Sequence, residues 1–181
     1  MRAWSVWGGT RCLGLAAALG VWALAGSPAL EAQADPPGTP PDHDFAAEAN
    51  SGGMAEVKLG QLAQQKGQSD KVKAFGEKMA MDHGKAGSEL KQAAHKSGIQ
   101  LSRAMSLKDR EVCQRLGKLE GAAFDKAYAE TMVQDHENDV AAFEREAANG
   151  QDESIRDFAR RTLPTLKEHL RLAREMAHSV S

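Results

Sequence analysis

Three histidines and one glutamate have the residue types and the spacing that suit metal chemistry. His83, His136 and His169 each fall in the middle of a different helix-like segment, on its apolar stripe, and Glu56 has the same kind of position in a fourth. Burying titratable groups is costly unless a partner compensates for the lost water. A common ion would compensate for all four, so the pattern predicts a transition-metal site formed by Glu56, His83, His136 and His169.

The four side chains fall at similar depths along their predicted helices. At ~1.5 Å rise per residue, Glu56 lies roughly 16 Å and His83 roughly 21 Å from the turn that joins their helices. His136 and His169 lie roughly 18 Å and 25 Å from the turn that joins the other two helices. We therefore expect all four to reach one level of a helical bundle.

An acidic residue directly precedes each histidine, at Asp82, Asp135 and Glu168. These carboxylates are candidates for additional ligands or for hydrogen-bond partners that orient the imidazoles. A carboxylate with three neutral imidazoles suits zinc, iron, copper or manganese, whereas calcium and magnesium prefer oxygen-rich sites. Met79 and Met132, one turn before two of the histidines, add sulfur that suits copper.

The same residues allow two alternatives. A metal-free network of hydrogen bonds and charges between Glu56 and the histidines would specify the core and respond to pH. A metal site with an open coordination position would activate water or oxygen and make the protein an enzyme. Between a metal site that only binds its ion and one that catalyses a reaction, the sequence favours the site that only binds.

The segments that carry these residues predict an all-α fold, because helical periodicity continues through them and no strand-like alternation is visible. Four long helices are expected at about 44–66, 69–96, 122–148 and 153–178. A long crossover between the second and third contains a short helix opened by Ser106, with Asp109 three residues on. Other expected N-caps are Asp42 or Asp44, Ser69 and Asp152.

Two local features bear on how these helices pack. A row of small residues at intervals of four on the second helix, Gly76, Ala80, Gly84 and Ser88, predicts close approach of a neighbouring helix. In the fourth helix, Pro164 cannot donate to the carbonyl of Arg160, which predicts a kink.

The N-terminal residues 1–34 resemble a secretory signal. Arg2 and Arg11 lie in the basic first part, an apolar stretch follows, and Ala32 and Ala34 have the small side chains of a cleavage site. The apolar run of roughly 14 residues is short of the ~20 that span a bilayer. We therefore expect cleavage near Ala34, with an uncleaved N-terminal membrane anchor as the alternative.

Cleavage would leave a proline-rich spacer at 35–43 and a folded domain at 44–178 in the periplasm or outside the cell. Cleavage would remove two of the 23 basic residues and one of the 25 acidic residues, so the mature chain would have a formal charge of −3. That charge does not suit a nucleic-acid partner. Cys113 would be its single cysteine, so no internal disulfide is expected. A lone cysteine of this kind is typically an inert packed residue.

Several short motifs resemble a bacterial family catalogued as domain of unknown function 4142, often labelled outer membrane proteins and assigned a ferritin-like fold. The motifs are Gly53-Met54-Ala55-Glu56, Met79-Ala80-Met81-Asp82-His83, Gly121-Ala122-Ala123-Phe124-Asp125 with His136, and Leu163-Pro164 with His169. The resemblance covers roughly residues 44–178 and implies a four-helix bundle with a long crossover. It implies no particular activity. A transmembrane barrel is not expected, because barrels need alternating strands.

Ferritins bind two irons through Glu-x-x-His on two helices, but Ala80 and Leu166 precede His83 and His169 by three residues. This difference favours a mononuclear, histidine-rich site over di-iron chemistry. The sequence thus predicts an exported ferritin-like bundle that binds zinc, iron or copper, with a role in metal handling or envelope stress protection. The alternative partners are a second copy of the chain or an envelope protein, recognised by the small-residue row or by the basic side of the fourth helix.

Overall fold

The computed structural model describes residues 41–180, so the expected signal sequence and most of the spacer lie outside the described residues. The described chain folds into four long helices and one short one: α1 Pro41–Lys66, α2 Asp70–Lys96, α3 Leu107–Leu116, α4 Gly121–Asn149 and α5 Glu153–Ser179. Within residues 41–180 the structure contains no strand. The predicted all-α, ferritin-like four-helix bundle is confirmed.

The long helices are arranged as two antiparallel hairpins. Turns of three residues, at 67–69 and 150–152, join α1 to α2 and α4 to α5, and these two pairs make the most extensive contacts. The hairpins pack together through α2 against α5 and α1 against α4. The connection from α2 to α4 carries α3, which packs on both α1 and α4. This is the long crossover that the sequence predicted.

Three predicted N-caps are present. The side-chain oxygens of Ser69, Ser106 and Asp152 accept hydrogen bonds from the backbone N–H groups of Lys71 (3.3 Å), Asp109 (3.1 Å) and Ile155 (3.0 Å). Each bond satisfies a donor that the first turn of a helix leaves without an intrahelical partner. The α2, α3 and α5 starts therefore follow from local sequence.

The start of α1 differs from the prediction. The helix begins at Pro41, three residues before the expected start, because proline fits the first turn, where its missing N–H costs nothing. Asp42 is not an N-cap. Its buried carboxylate accepts hydrogen bonds from the backbone N–H groups of Gln151 (2.7 Å) and Asp152 (3.1 Å). Asp42 therefore fastens the start of α1 to the α4–α5 turn.

The core consists of two apolar clusters with a polar layer between them. One cluster contains Met79, Met132 and Ala173, and the other contains Leu90, Phe143 and Leu166. Each predicted histidine lies between one member of each cluster on its own helix. All five phenylalanines are buried, as the periodicity predicted. The apolar clusters thus set the level of the polar layer.

Close contact between α1 and α2 occurs at half of the predicted small-residue row. A Cβ atom on Gly76 would lie 2.5 Å from the Cβ of Ala63, and one on Gly60 would lie 2.4 Å from the carbonyl oxygen of Gly76. Gly84 has open space around it, and Ser88 is exposed. The close crossing therefore uses Gly76 and Ala80 but does not extend to Gly84 and Ser88.

The basic side of α5 is a solvated face in which arginines pair with carboxylates, as Arg171 does with Glu168 and Glu175, and Arg174 with Glu137. Across residues 41–180, we find no helix with the length and apolarity needed to cross a membrane.

A candidate metal centre

Four side chains from four helices meet in the polar layer. Glu56 on α1, His83 on α2, His136 on α4 and His169 on α5 are each no more than 6% exposed. The ring centroids of the histidines are 5.3 Å apart for the two pairs that include His169 and 5.6 Å apart for the third. Each pair is close enough for both rings to contact one small ion.

Glu56 contacts two of the histidines. Its Oε2 atom lies 2.7 Å from Nδ1 of His83, and its Oε1 atom lies 3.4 Å from Nε2 of His136. The first distance is short enough for a hydrogen bond, whereas the second pair of atoms is not hydrogen-bonded. Glu56 therefore orients His83 with one oxygen and leaves the other oxygen without a hydrogen-bond partner.

The other two histidines are oriented by different acceptors. Nδ1 of His136 lies 2.9 Å from the backbone carbonyl oxygen of Met132, one turn earlier on α4. Nε2 of His169 lies 2.9 Å from Oδ2 of Asp82, on α2. A carboxylate or carbonyl oxygen can only accept, so the facing ring nitrogen of each neutral imidazole carries its proton.

The remaining nitrogen of each ring then has a free lone pair. Nε2 of His83, Nε2 of His136 and Nδ1 of His169 are all buried and have no hydrogen-bond partner. In metal sites of proteins, the non-ligating N–H of a histidine is usually held by a carboxylate or a carbonyl. All three histidines have that arrangement here, with the ligating position left free.

The spacing of the histidines is close to that of a metal site. One ring nitrogen from each of His83, His136 and His169 lies within 4.8 Å of the others. Ligand atoms about 2.1 Å from a tetrahedral ion are about 3.4 Å apart, so the rings would need to close by roughly 1 Å around an ion. The 3.4 Å between Nε2 of His136 and Oε1 of Glu56 already matches that separation.

Burial governs the protonation of this centre. Desolvation lowers the pKa of His83 and of His169 to about 4 in each case, and it also lowers the pKa of His136. Desolvation raises the pKa of Glu56 to about 7, although His136 opposes that shift. The imidazoles are therefore neutral near pH 7, which is the form that binds metals.

The residues before the histidines have three different environments. Asp82 is the hydrogen-bond partner of His169 and also pairs with Lys78 at 2.9 Å. Burial raises the pKa of Asp135 to about 6, although the positive charge of Lys108 opposes that shift. Glu168 is exposed and paired with Arg171. Of the three, only Asp82 reaches the centre.

Two residues of this region were not among the predicted ones. Asp139, one turn after His136 on α4, lines a cavity of about 30 Å³ together with Glu56 and His83. Burial and then the charge of Glu56 raise the pKa of Asp139 well above its usual range. Its position three residues after His136 was the sequence signal that could have identified Asp139 as part of this region. The hydroxyl of Tyr128, two turns before His136, is also buried without a hydrogen-bond partner.

Comparisons with known proteins give one family and a similar fold. The sequence profile of a family described as a domain of unknown function (DUF4142) matches residues 27–176. No curated protein matches the chain significantly.

Two solved structures resemble the fold with a TM-score of 0.65 each. One is a candidate secreted DUF305 protein from Streptomyces coelicolor, 12% identical, with 78% of this chain and 94% of that chain covered. The other is a DUF305 fragment from Deinococcus radiodurans, 14% identical, with 80% and 99% covered. At these identities the likeness extends to the fold alone.

Proposed function

This chain belongs to the DUF4142 family, and we propose that its helical domain binds one transition-metal ion in the core. His83, His136 and His169 supply three imidazole ligands. Glu56 supplies the fourth ligand and also orients His83. The domain acts in metal handling or in protection of the cell envelope against stress.

The observation that carries this proposal is the set of three free, buried imidazole lone pairs. A buried polar atom without a partner costs about 1–3 kcal/mol, and three such atoms lie in this layer, where one ring nitrogen of each histidine is within 4.8 Å of the others. One ion bound by all three nitrogens would remove that cost. A metal-free network leaves it in place, because the hydrogen bonds of the layer already use the other nitrogen of each ring.

Glu56 has the geometry for two roles at once. Its Oε2 atom is occupied by Nδ1 of His83, whereas its Oε1 atom has no hydrogen-bond partner and lies 3.4 Å from the free nitrogen of His136. That separation equals the edge of a tetrahedral site with bonds of about 2.1 Å. Glu56 is therefore the fourth ligand of the proposed centre, and Asp82 orients His169 without binding the ion.

The donor set selects a class of metal. Three neutral imidazoles and one carboxylate favour zinc, iron or copper over calcium and magnesium. The signal-like residues 1–34 support export to the periplasm or outside the cell, where the protein would meet metals as they enter the envelope.

Metal analysis of the purified protein tests the proposal. We expect one equivalent of metal by ICP-MS after loading with zinc, iron(II) or copper(II), and loss of that metal in the His83→Ala and His136→Ala variants. His95→Ala is the matched control, because His95 is exposed at the end of the same helix as His83. Absence of bound metal from the wild-type protein after all three loadings would overturn the proposal and favour the metal-free network.

A second candidate function is metal-dependent catalysis. The cavity of about 30 Å³ beside His83, Glu56 and Asp139 has room on the scale of one water molecule, so the ion could hold an exchangeable ligand there. Binding of azide to the Co²⁺-loaded protein, seen as a change in the visible absorption spectrum, would support an open position. An unchanged spectrum at saturating azide would contradict an open position and would favour metal binding without catalysis.

A further inference from the structure

The proposed centre is enclosed by helices, so an ion must reach it through one of the openings in the bundle. A groove of about 590 Å³ runs along α1, α3 and α4 and ends on the buried carboxylate of Glu56. A larger cleft of about 960 Å³ runs between α2 and α5 and reaches Asp82. These two openings differ in charge and in what lies at their inner ends.

The α1–α3–α4 groove has a strongly acidic lining. Five carboxylic residues line it against two basic ones, Lys108 and Arg145. The acidic residues are Glu48, Glu56, Asp109, Asp135 and Asp139. In the α2–α5 cleft, five carboxylic residues are opposed by four basic ones. The groove therefore presents fewer positive charges to an approaching cation than the cleft does, two against four, and repels it less.

The inner ends of the two openings also differ. In the α2–α5 cleft, Oδ2 of Asp82 already contacts the ammonium group of Lys78 and Nε2 of His169, so an incoming cation would meet a positive charge at that carboxylate. In the groove, Oε1 of Glu56 is buried and has no hydrogen-bond partner. Glu56 belongs to the groove wall, and its Oε1 atom has no hydrogen-bond partner that an incoming cation would have to displace.

The groove continues inward past Asp139. Glu56 and Asp139 line both the groove and the inner cavity of about 30 Å³ that touches His83. An ion with its complete water shell does not fit that cavity, which is on the scale of one water molecule. Carboxylate oxygens at the entrance would replace the waters that the ion must lose.

We propose that this acidic groove is the route by which a divalent cation reaches the histidines, with Asp139 as the last carboxylate it meets before Glu56. This inference rests on the proposed function, because it concerns the filling of the same centre. Asp139 is a delivery residue and not a ligand. Its loss should slow both the arrival and the departure of the ion and leave the equilibrium affinity nearly unchanged.

The test is a stopped-flow measurement with Co²⁺ as the probe, followed by its visible absorption, alongside an equilibrium titration. Asp139→Asn should slow association by about three- to tenfold, because the amide removes a carboxylic oxygen that can bind the incoming cation. Asp157→Asn is the matched control, because Asp157 lines the other cleft. Wild-type association in Asp139→Asn, or slow association in Asp157→Asn alone, would overturn the route. A weaker affinity with unchanged association would identify Asp139 as a ligand and would also overturn it.

A steric variant tests the same route without changing charge. Gly53 lines the inner cavity, and a Cβ atom there would meet nothing within 4 Å, so Gly53→Leu can fill the passage while the fold is retained. Gly84→Leu is the control, since Gly84 is an exposed helical glycine with the same open surroundings. Slow Co²⁺ loading in Gly53→Leu alone supports the route, and equal loading rates contradict it. If the wild-type protein binds no Co²⁺ at all, the proposed function itself fails.

Discussion

Asp82 precedes His83 in the chain, yet its carboxylate accepts a hydrogen bond from Nε2 of His169, 2.9 Å away on another helix. Adjacent residues on a helix point about 100° apart, so the carboxylate of Asp82 turns toward α5 while His83 faces the core. The same α2 segment thus supplies one imidazole and the residue that orients another. This link couples α2 to α5 at the level of the proposed ion.

Loss of the Asp82 carboxylate should weaken metal binding without removing a ligand. Replacing the acceptor that orients a metal-bound histidine typically lowers affinity about 10- to 100-fold. We expect Asp82→Asn to lower zinc affinity by at least about tenfold in a competition titration. Glu168→Gln, which changes an exposed carboxylate paired with Arg171, should keep wild-type affinity. Equal affinities in the two variants would show that Asp82 does not position His169.

Metal binding should stabilise the folded protein. At free zinc about 100 times the dissociation constant, binding to the native state alone contributes about 2.7 kcal/mol. For a domain of this size, that corresponds to an increase in Tm of about 5–10 °C. Thermal unfolding followed by circular dichroism should show this increase for the wild-type protein and for His95→Ala, and none for His136→Ala. An increase that persists in His136→Ala would place the ion elsewhere.

The raised pKa of Glu146 should contribute to a loss of stability as pH rises through neutrality. Burial, and then the nearby carboxyl group of Asp42, raise the pKa of Glu146 to about 7, with Asp152 adding to the shift and Arg156 opposing it. A folded-state pKa above the unfolded value favours the folded state at low pH, and this advantage is lost as the pH passes 7.

Glu146→Gln should therefore flatten the pH dependence between pH 5 and 9, as measured by urea unfolding. Glu144→Gln provides the control, because Glu144 lies on the same helix and makes a surface ion pair with Lys167. If the Glu146→Gln profile parallels that of the wild type, another group causes the dependence.

The crossing of α1 and α2 should not tolerate a methyl group at Gly60. The added Cβ would lie 2.4 Å from the carbonyl oxygen of Gly76 and 2.9 Å from the backbone nitrogen of Ala80, and backbone atoms cannot easily move away. Gly60→Ala should therefore lower the free energy of unfolding by about 1–3 kcal/mol. Gly84→Ala, with open space around it, should raise that free energy by up to about 1 kcal/mol. Similar effects in chemical unfolding experiments would contradict the close crossing.

The sequence predicted the helices and the level of the polar layer because both depend on spacing along one helix. A period of 3.6 residues places the histidines and the apolar residues on one stripe, and local caps such as Ser69 and Asp152 define the helix starts. These relationships involve only residues close together in the chain. They needed no knowledge of how the helices pack.

The partners of individual carboxylates could not be predicted in this way. Asp42 has the residue type of a cap, but it bonds to Gln151 and Asp152, which are more than 100 residues away in the chain. Asp139 has the sequence character of a surface residue, and only the packing of α4 against α1 brings it to Glu56. Asp135 and Glu168 have the same position relative to their histidines as Asp82, yet Asp135 lies in the field of Lys108 on α3 and Glu168 pairs with Arg171 on its own helix.

The division of the bundle into two hairpins has a consequence for how the proposed centre assembles. The α1–α2 hairpin contributes Glu56 and His83, and the α4–α5 hairpin contributes His136 and His169, so neither half alone has the complete ligand set. A bound ion would cross-link the two hairpins. Separating them would require breaking metal–ligand bonds in the middle of the molecule.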